Sequence, residues 1–372
     1  MLVDKIELYL VENAFFTPWR TAYGSDPGNC AVFARMVSGT YEGWSESSPL
    51  CGPNYSYEHG AGAYEVAKRF LAPCIVGKDF ITAKELNDAM AHIKGNPFAK
   101  AAIEMAWWNL DAAIKGKTLG DMLGTERKEV PLGDGFGVSD SYDALIAKIG
   151  ESFDKGYSRV KLKVMHGWDV EMLEAVRSVF PTQTFHIDCN ASYTFAEADV
   201  FKKIDKFHLA MIEQPFQSGD IYNHAKLQKM IDTPICLDET ITEPWQAEVA
   251  AELGACGYVN IKPARVGGLQ NSLDINTICA QAGIGCWVGG MMESDVGKSI
   301  CTELAAIPNM VYPHDITPSV FNYPDIITSS VLEETPRCTI ACSDRIGTPV
   351  VPDIEKFLKK VITSAVITGA RD

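Results

Sequence analysis

A repeat of apolar runs that end on charged residues constrains this chain more than any other feature. The runs RVKLKV, FHIDCN, AMIEQP, ICLDE and VNIKP carry Lys161 and Lys163, Asp188, Glu213, Asp238 and Lys262 at their ends. The steps from 163 to 188, 213 and 238 are 25 residues each, and the step to 262 is 24. A strand, a turn, a helix and a second turn need about that many residues, so the period predicts consecutive parallel βα units. Residues at the carboxyl ends of such strands face one shared crevice. The spacing therefore gathers three carboxylates and three lysines around one site.

The pattern extends beyond this stretch. Strands are predicted at 131–138, 159–164, 184–190, 209–215, 235–239, 258–263, 285–290 and 310–315, with helical runs between them such as 170–179, 244–253 and 270–281. Units of roughly 25 residues fit seven times with one strand over, in less chain than the roughly 250 residues of a complete barrel. The fold class predicted is α/β: a TIM-like (β/α)7β barrel over 126–318, its eighth helix missing or displaced. Upstream, alternation at 4–11 and the runs 30–37 and 41–46 predict three strands, with loops at 15–24 and 49–60. Three helices follow, over 61–71, after the capping box Thr82-Ala83-Lys84-Glu85, and from Asn96-Pro97 to Gly116. Strands followed by helices make an α+β capping domain, 1–125. The tail, 319–372, has short apolar runs and a predicted helix over 353–362. It is too short for a domain of its own and is expected to pack back on the cap.

The net charge of −15 argues against a nucleic-acid partner. No apolar run approaches a membrane span, and the start MLVDKIELYLVE lacks a basic segment followed by an apolar core. A cytoplasmic location and no membrane partner are expected. The 11 cysteines show no CxxC pair and no histidine spacing suited to zinc, so they read as reduced, mostly buried small hydrophobes. Association into a homo-oligomer is left open.

Alternation places Lys161 and Lys163 on one side of a strand and Val160, Leu162 and Val164 on the other. Two ammonium groups this close lower the second pKa, which is how a lysine becomes a base at neutral pH. Three carboxylates in one mouth need positive charge among them, and an all-oxygen set selects a hard cation, Mg²⁺ above others, with Mn²⁺ able to substitute. Any one of these acids alone is better read as a helix cap, and Lys262 alone as a structural ion pair; the equal spacing is what favours a site. Parity leaves open whether Asp238 or Glu239 is the ligand.

Lys-x-Lys, Asp-x-Asn, Glu-Gln-Pro, Asp-Glu and Asn-x-Lys-Pro on successive strands resemble the enolase superfamily, in particular its muconate-lactonizing subgroup. The resemblance spans nearly the whole chain. It implies Asp188, Glu213 and Asp238 as Mg²⁺ ligands, Lys163 and Lys262 as acid/base residues on either face of the substrate, and Lys161 as the group that polarises the substrate carboxylate. Asn190 and Glu239 would adjoin the metal, and Arg265 could reposition Lys262. Glu293, in GGMMES, resembles a residue at the barrel mouth.

The longer motifs KLKVMHGWDVE, HIDCNASYT and VNIKPARVGG are similar to members that dehydrate a succinyl-hydroxycyclohexadiene carboxylate through an enediolate, a step of menaquinone biosynthesis. They are also similar to members that racemise N-succinylamino acids, which is the alternative to the dehydration as the main expectation. Dipeptide epimerases of the subgroup carry Asp-x-Asp at the eighth strand. Here His314-Asp315-Ile316 offers only Asp315, so that reading loses ground. A small-molecule carboxylate is the implied partner. Phe15, Phe16, Pro18, Trp19, Tyr55 and Tyr57 could wall the site from the cap, although each alone is as readily cap core. A Schiff-base aldolase barrel using Lys163 and a non-catalytic binding barrel are the competing readings.

Overall fold

The computed structural model describes residues 1–21 and 24–369. Its first sheet follows from alternation. Strands β1 (Lys5–Thr21), β2 (Gly24–Ser38) and β3 (Tyr41–Ser47) pair antiparallel. Ile6, Leu8 and Leu10 point from β1 into the main core, which includes Tyr64, Leu71 and Phe98 from the helices below. Val11, Phe33 and Trp44 face the other way into a small second cluster.

The loop predicted at 15–24 is instead hairpin arm up to Thr21 and from Gly24; Ala22 and Tyr23 lie outside the described residues. Pro18, Gly24, Pro27 and Gly28 look like loop residues, but the β1–β2 register absorbs the irregularity between Ala14 and Trp19. Gly28 is needed there, because a Cβ would meet Asn13 O at 2.6 Å.

The cap helices run as Gly60–Val66, a π-helical turn Ala67–Leu71, and Ala72–Ile75. Ala83–Met90 and Pro97–Lys115 follow. The capping box expected at Thr82 is half made: Thr82 accepts from Glu85 N, while the Glu85 carboxylate takes Ile81 N. Asn96 is not a side-chain cap either, since it sits left-handed at φ 56°. Glu58 does that work, accepting from Phe98 N and Ala99 N at 2.9 and 3.1 Å.

The next strand is β4 (Glu129–Pro131), and the barrel strands are β5 (Asp134–Phe136), β6 (Arg159–Lys163), β7 (Thr184–Asp188), β8 (Ile212–Glu213), β9 (Ile235–Leu237), β10 (Tyr258–Ile261) and β11 (Gly285–Val288). From β5 to β11 they form one parallel sheet in sequence order. Seven helices alternate with them, ending with Leu269–Gln281 and Asp295–Ala305. The predicted strand 310–315 makes only single bridges, Met310 to Cys286 and His314 to Leu132. Pro313 has no N–H to offer a ladder. Those bridges still close the ring, giving a (β/α)7β barrel under an α+β cap. The predicted strand 131–138 splits in two, because β4 leaves the barrel to pair with β12 (Thr339–Ala341).

The tail thus touches both regions. Beyond β12 a short helix, Ile354–Leu358, lays Phe357 edge-on against Tyr9, Phe33 and Trp44, and β13 (Val361–Thr368) pairs with β1. The helix expected over 353–362 stops at Leu358, where the β-branched run Val361-Ile362-Thr363 favours the open edge of the sheet.

Two buried glutamates of the cap seat on barrel helices. Glu46 accepts from Ser294 N and Gly297 N where Asp295–Ala305 begins. Glu104 accepts from Leu269 N and Gln270 N at 2.7 and 2.8 Å and from Trp108 Nε1 at 2.8 Å. Helix N-termini attract negative charge, so these contacts join cap to barrel.

Glu104→Ala would leave three buried donors unpaired, and a loss of about 3 kcal/mol or more is expected in urea unfolding. Burial pushes the Glu104 carboxyl up to about 7 from 4.5. The folded chain then binds the proton more tightly than the unfolded one. This group's contribution therefore favours folding most below about pH 4.5 and declines as pH rises to about 7. Unfolding of Glu104→Gln across that window should show a shallower decline than the parent.

Candidate active site

Strand register builds the site. Lys163 lies beside Asp188, and Asp188 beside Glu213, so their side chains leave three neighbouring strands at one level. Glu213 is level with Cys236, which puts Asp238 two residues further along its own strand end. Lys262 follows β10 by one residue. The sheet's shear thus spreads the charged groups around the mouth.

Asp188, Glu213, Asp238, Glu239, Lys161, Lys262 and Arg265 are all buried, and Lys163 nearly so. Lys161 Nζ lies 2.8 Å from Asp188 and 2.7 Å from Glu213. Lys163 Nζ lies 2.6 Å from Asp188 Oδ2 and donates to Asn190 Oδ1 at 2.7 Å. Across the mouth Lys262 Nζ donates to Asp238 at 2.8 Å and to the Tyr55 hydroxyl at 2.9 Å. Arg265 pairs with the other Asp238 oxygen and donates to Tyr55 at 3.2 Å.

These surroundings drive the two lysines apart. Burial lowers the Lys163 pKa, opposed by Asp188 and helped by the neighbouring Lys161. Burial also works against the Lys262 ammonium, but Tyr55 and the carboxylates outweigh it and raise its pKa. Lys161 is raised too, because Asp188 and Glu213 overcome its burial. Glu239 is pushed up to about 7, first by burial and then by the Asp188 carboxylate.

Several supporting residues were not singled out from sequence. Asn260 donates to Glu213 Oε1 at 2.8 Å. Gln214 sits left-handed at φ 41° just after Glu213. Its amide oxygen accepts from Asp238 N and Thr240 N, and its nitrogen donates to Phe216 O, so it ties two strand ends together. Arg159 pairs with Asp315 at 2.7 Å and lies over Trp287 and Tyr312. Gly133 makes room for that guanidinium, since a Cβ would fall 2.0 Å from Cζ. Asn260 shares the parity of Lys262 and was findable on that ground. Arg159 shares the parity of Lys161 and Lys163 and was findable in the same way, whereas Gln214, of opposite parity to Glu213, was not.

The three lysines and Asn190 line a cavity of about 280 Å³ between cap and barrel. Phe15, Trp19 and Tyr55 close it from the cap. Phe16 does not: it is 62% exposed, because consecutive residues of an extended strand face opposite ways. Pro18 and Tyr57 are likewise exposed, Tyr57 at 95%. Glu293 lies behind the rim rather than on it, accepting from Met291 N at 2.8 Å. Lys298 and Asn322, bonded to each other at 2.8 Å, complete the far wall.

Asp188, Glu213 and Asp238 could hold a hard divalent cation. The donors are all oxygen, and Glu239 Oε2 beside them is buried without a hydrogen-bond partner. Among the described residues their oxygens do not all lie within 4.8 Å of one another; ammonium groups stand between them.

The family profile described as enolase C-terminal domain-like matches residues 144–355, and that of the mandelate racemase / muconate lactonizing enzyme N-terminal domain matches 5–124. The chain belongs to the enolase superfamily. Members of the superfamily use Mg²⁺. An N-succinylamino acid racemase of an Amycolatopsis species is 34% identical over 371 residues, all of both chains. The o-succinylbenzoate synthase of Bacillus subtilis is 38% identical over 363 residues, covering 96% of this chain and 97% of that one. A solved enolase-superfamily structure from Listeria innocua superposes with a TM-score of 0.95 at 31% identity and 99% coverage of both.

Replacing Arg159 with Met would leave half-buried Asp315 with only the longer contact to Lys161, at 3.4 Å. Arg159 is buried but the Asp315 side chain is 26% exposed, so the loss falls below that of a fully buried pair, at about 1–3 kcal/mol. Chemical unfolding should show that loss, and a change below about 1 kcal/mol would mean that Lys161 compensates.

Proposed function

We propose that this enzyme is an o-succinylbenzoate synthase that dehydrates a succinyl-hydroxycyclohexadiene carboxylate. The carrying observation is the pair Lys163 and Lys262, which reach one cavity from separate strands with pKa values moved in opposite directions. A carbon acid next to a carboxylate needs a base that is neutral before the reaction and a cation that stays charged during it. Lys163 has the environment of the base and Lys262 that of the cation.

In this reading Lys163 Nζ takes the proton alpha to the carboxylate and returns it to the departing hydroxyl. The C–H and C–O bonds break, a C=C bond forms, and water leaves. Asn190 Oδ1 and Asp188 fix the Lys163 amine on the cavity side. Lys262, held by Asp238 and Tyr55, keeps its proton and faces the developing π system, where a cation–π contact is favourable. Lys161 contributes positive charge next to the substrate carboxylate. Asp188, Glu213 and Asp238 would hold Mg²⁺, which supplies further positive charge against the negative charge that builds on that carboxylate. Phe15, Trp19 and Tyr55 exclude water, which strengthens each of these interactions.

A second reading, N-succinylamino acid racemisation at the same site, is favoured by Arg265. Its guanidinium touches both partners of Lys262, the Asp238 carboxylate and the Tyr55 hydroxyl. A racemase needs Lys262 to exchange a proton, and Arg265 is placed to offset the change in charge.

The test is a substrate panel comparing the cyclohexadiene carboxylate with N-succinylated amino acids. Dehydration is expected, and its absence alongside ready racemisation would overturn the first reading. Lys163→Ala should lower dehydration by about 10²–10⁴-fold. In heavy water, Lys262→Ala should stop racemisation yet leave deuterium exchange from one enantiomer, read by mass spectrometry. EDTA should abolish activity and Mg²⁺ restore it.

A further inference from the structure

We infer that Glu12, Cys30 and Cys51 form a second cation site, separate from the barrel carboxylates, that takes zinc or another thiophilic divalent ion. The three side chains come from three segments. Glu12 and Cys30 are direct cross-strand partners on β1 and β2, so their side chains share a face of the sheet. Cys51 comes from the loop after β3, whose ends are pinned by the bond from Gly60 N to Leu50 O. One carboxylate oxygen and the two sulfurs lie within 4.8 Å of one another.

That geometry suits a tetrahedral ion. Zn–S bonds of about 2.3 Å place two coordinated sulfurs roughly 3.8 Å apart. Mg²⁺ does not compete here, because it prefers oxygen donors, whereas two thiolates and a carboxylate suit zinc. Water would fill the fourth position. Both cysteines are half-buried and Glu12 is exposed, so the site opens to solvent. Gly60 passes directly over Cys30: a Cβ there would lie 2.4 Å from Cys30 O. The loop therefore already rests on the strand that carries one ligand.

The position gives the ion a consequence. Leu50, next to Cys51, lines the main cavity, and Tyr55 in the same loop reaches Lys262 and Asp238. An ion bound by all three residues would staple the β1–β2 hairpin to the loop that carries Tyr55. Binding would release the two thiol protons to solvent. Its readouts concern sulfur ligation, so they are independent of which reaction the barrel performs.

The experiment uses the full chain, reduced and saturated with Mg²⁺. Cobalt(II) is added first, as a coloured stand-in for zinc. The expected result is a sulfur-to-cobalt charge-transfer band in the near ultraviolet, erased by zinc with release of about two protons per ion. Cys30→Ser and Cys51→Ser should each abolish the band, with circular dichroism confirming that they fold. Glu12→Gln, a change at an exposed position, should keep the band and weaken zinc by about 10–100-fold. Zinc should also slow amide exchange over residues 50–59 in the parent alone. Absence of the band in the parent, its survival in both cysteine variants, or isolation of a Cys30–Cys51 disulfide in place of metal binding would each overturn the inference.

Discussion

The fold depends on holding eight ionisable groups together in a nearly dry space at one end of a barrel. Asp188, Glu213, Asp238 and Glu239 face Lys161, Lys163, Lys262 and Arg265 in a space that excludes most water. Burying any one of them alone would cost several kcal/mol. Together they hold because each is also anchored by neutral groups. Asn260 orients Glu213, Asn190 bridges Lys163 and Glu239, and Gln214 fixes the backbone at Asp238. The left-handed residues Asn190 and Gln214 stand just beyond Asp188 and Glu213. The chain bends there so that the polar network can close.

The same arrangement separates the chemistry of two identical side chains. Lys163 and Lys262 are both buried, and burial alone would treat them alike. Lys163 shares Asp188 with a second ammonium group, whereas Lys262 has Tyr55 and Asp238 on its side of the mouth. One is pushed toward the free amine and the other kept as a cation. The asymmetry comes from adjacent strand ends and, at Lys262, from a tyrosine of the cap loop, so barrel and cap make it together.

Much of this was legible in the sequence. Strand length and helix length are fixed by backbone geometry, so the period at 163, 188, 213, 238 and 262 carried the barrel and its charged ends together. Contacts between distant segments were not legible. Nothing near Glu58 announces that it caps Pro97–Lys115, which looked self-capped by Asn96. Glu46 and Glu104 find their helix ends nearly 250 and 165 residues away. The cysteines gave the same difficulty: spacing argued against a metal site, yet sheet pairing brings Cys30 to Glu12 and a loop brings Cys51 to both. The aromatic wall was half right for a simpler reason. Phe15 and Phe16 are equivalent in composition, and only strand parity decides which one points inward.

The glutamate contacts between cap and barrel have a consequence for traffic through the site. Glu46 and Glu104 hold separate barrel helices by their first backbone amides, and the edge strand β13 stitches the tail to the cap sheet. A cap fastened at two points cannot swing like a hinged door without uncovering buried carboxylates. The part of the cap that meets the cavity is short spans of chain, the hairpin around Phe15–Trp19 and the turn carrying Tyr55. Because Tyr55 touches Lys262, opening that turn also loosens the cation. The residue that closes the cavity from the cap is thus also the partner that keeps Lys262 charged, so access and charge meet in a single turn of chain.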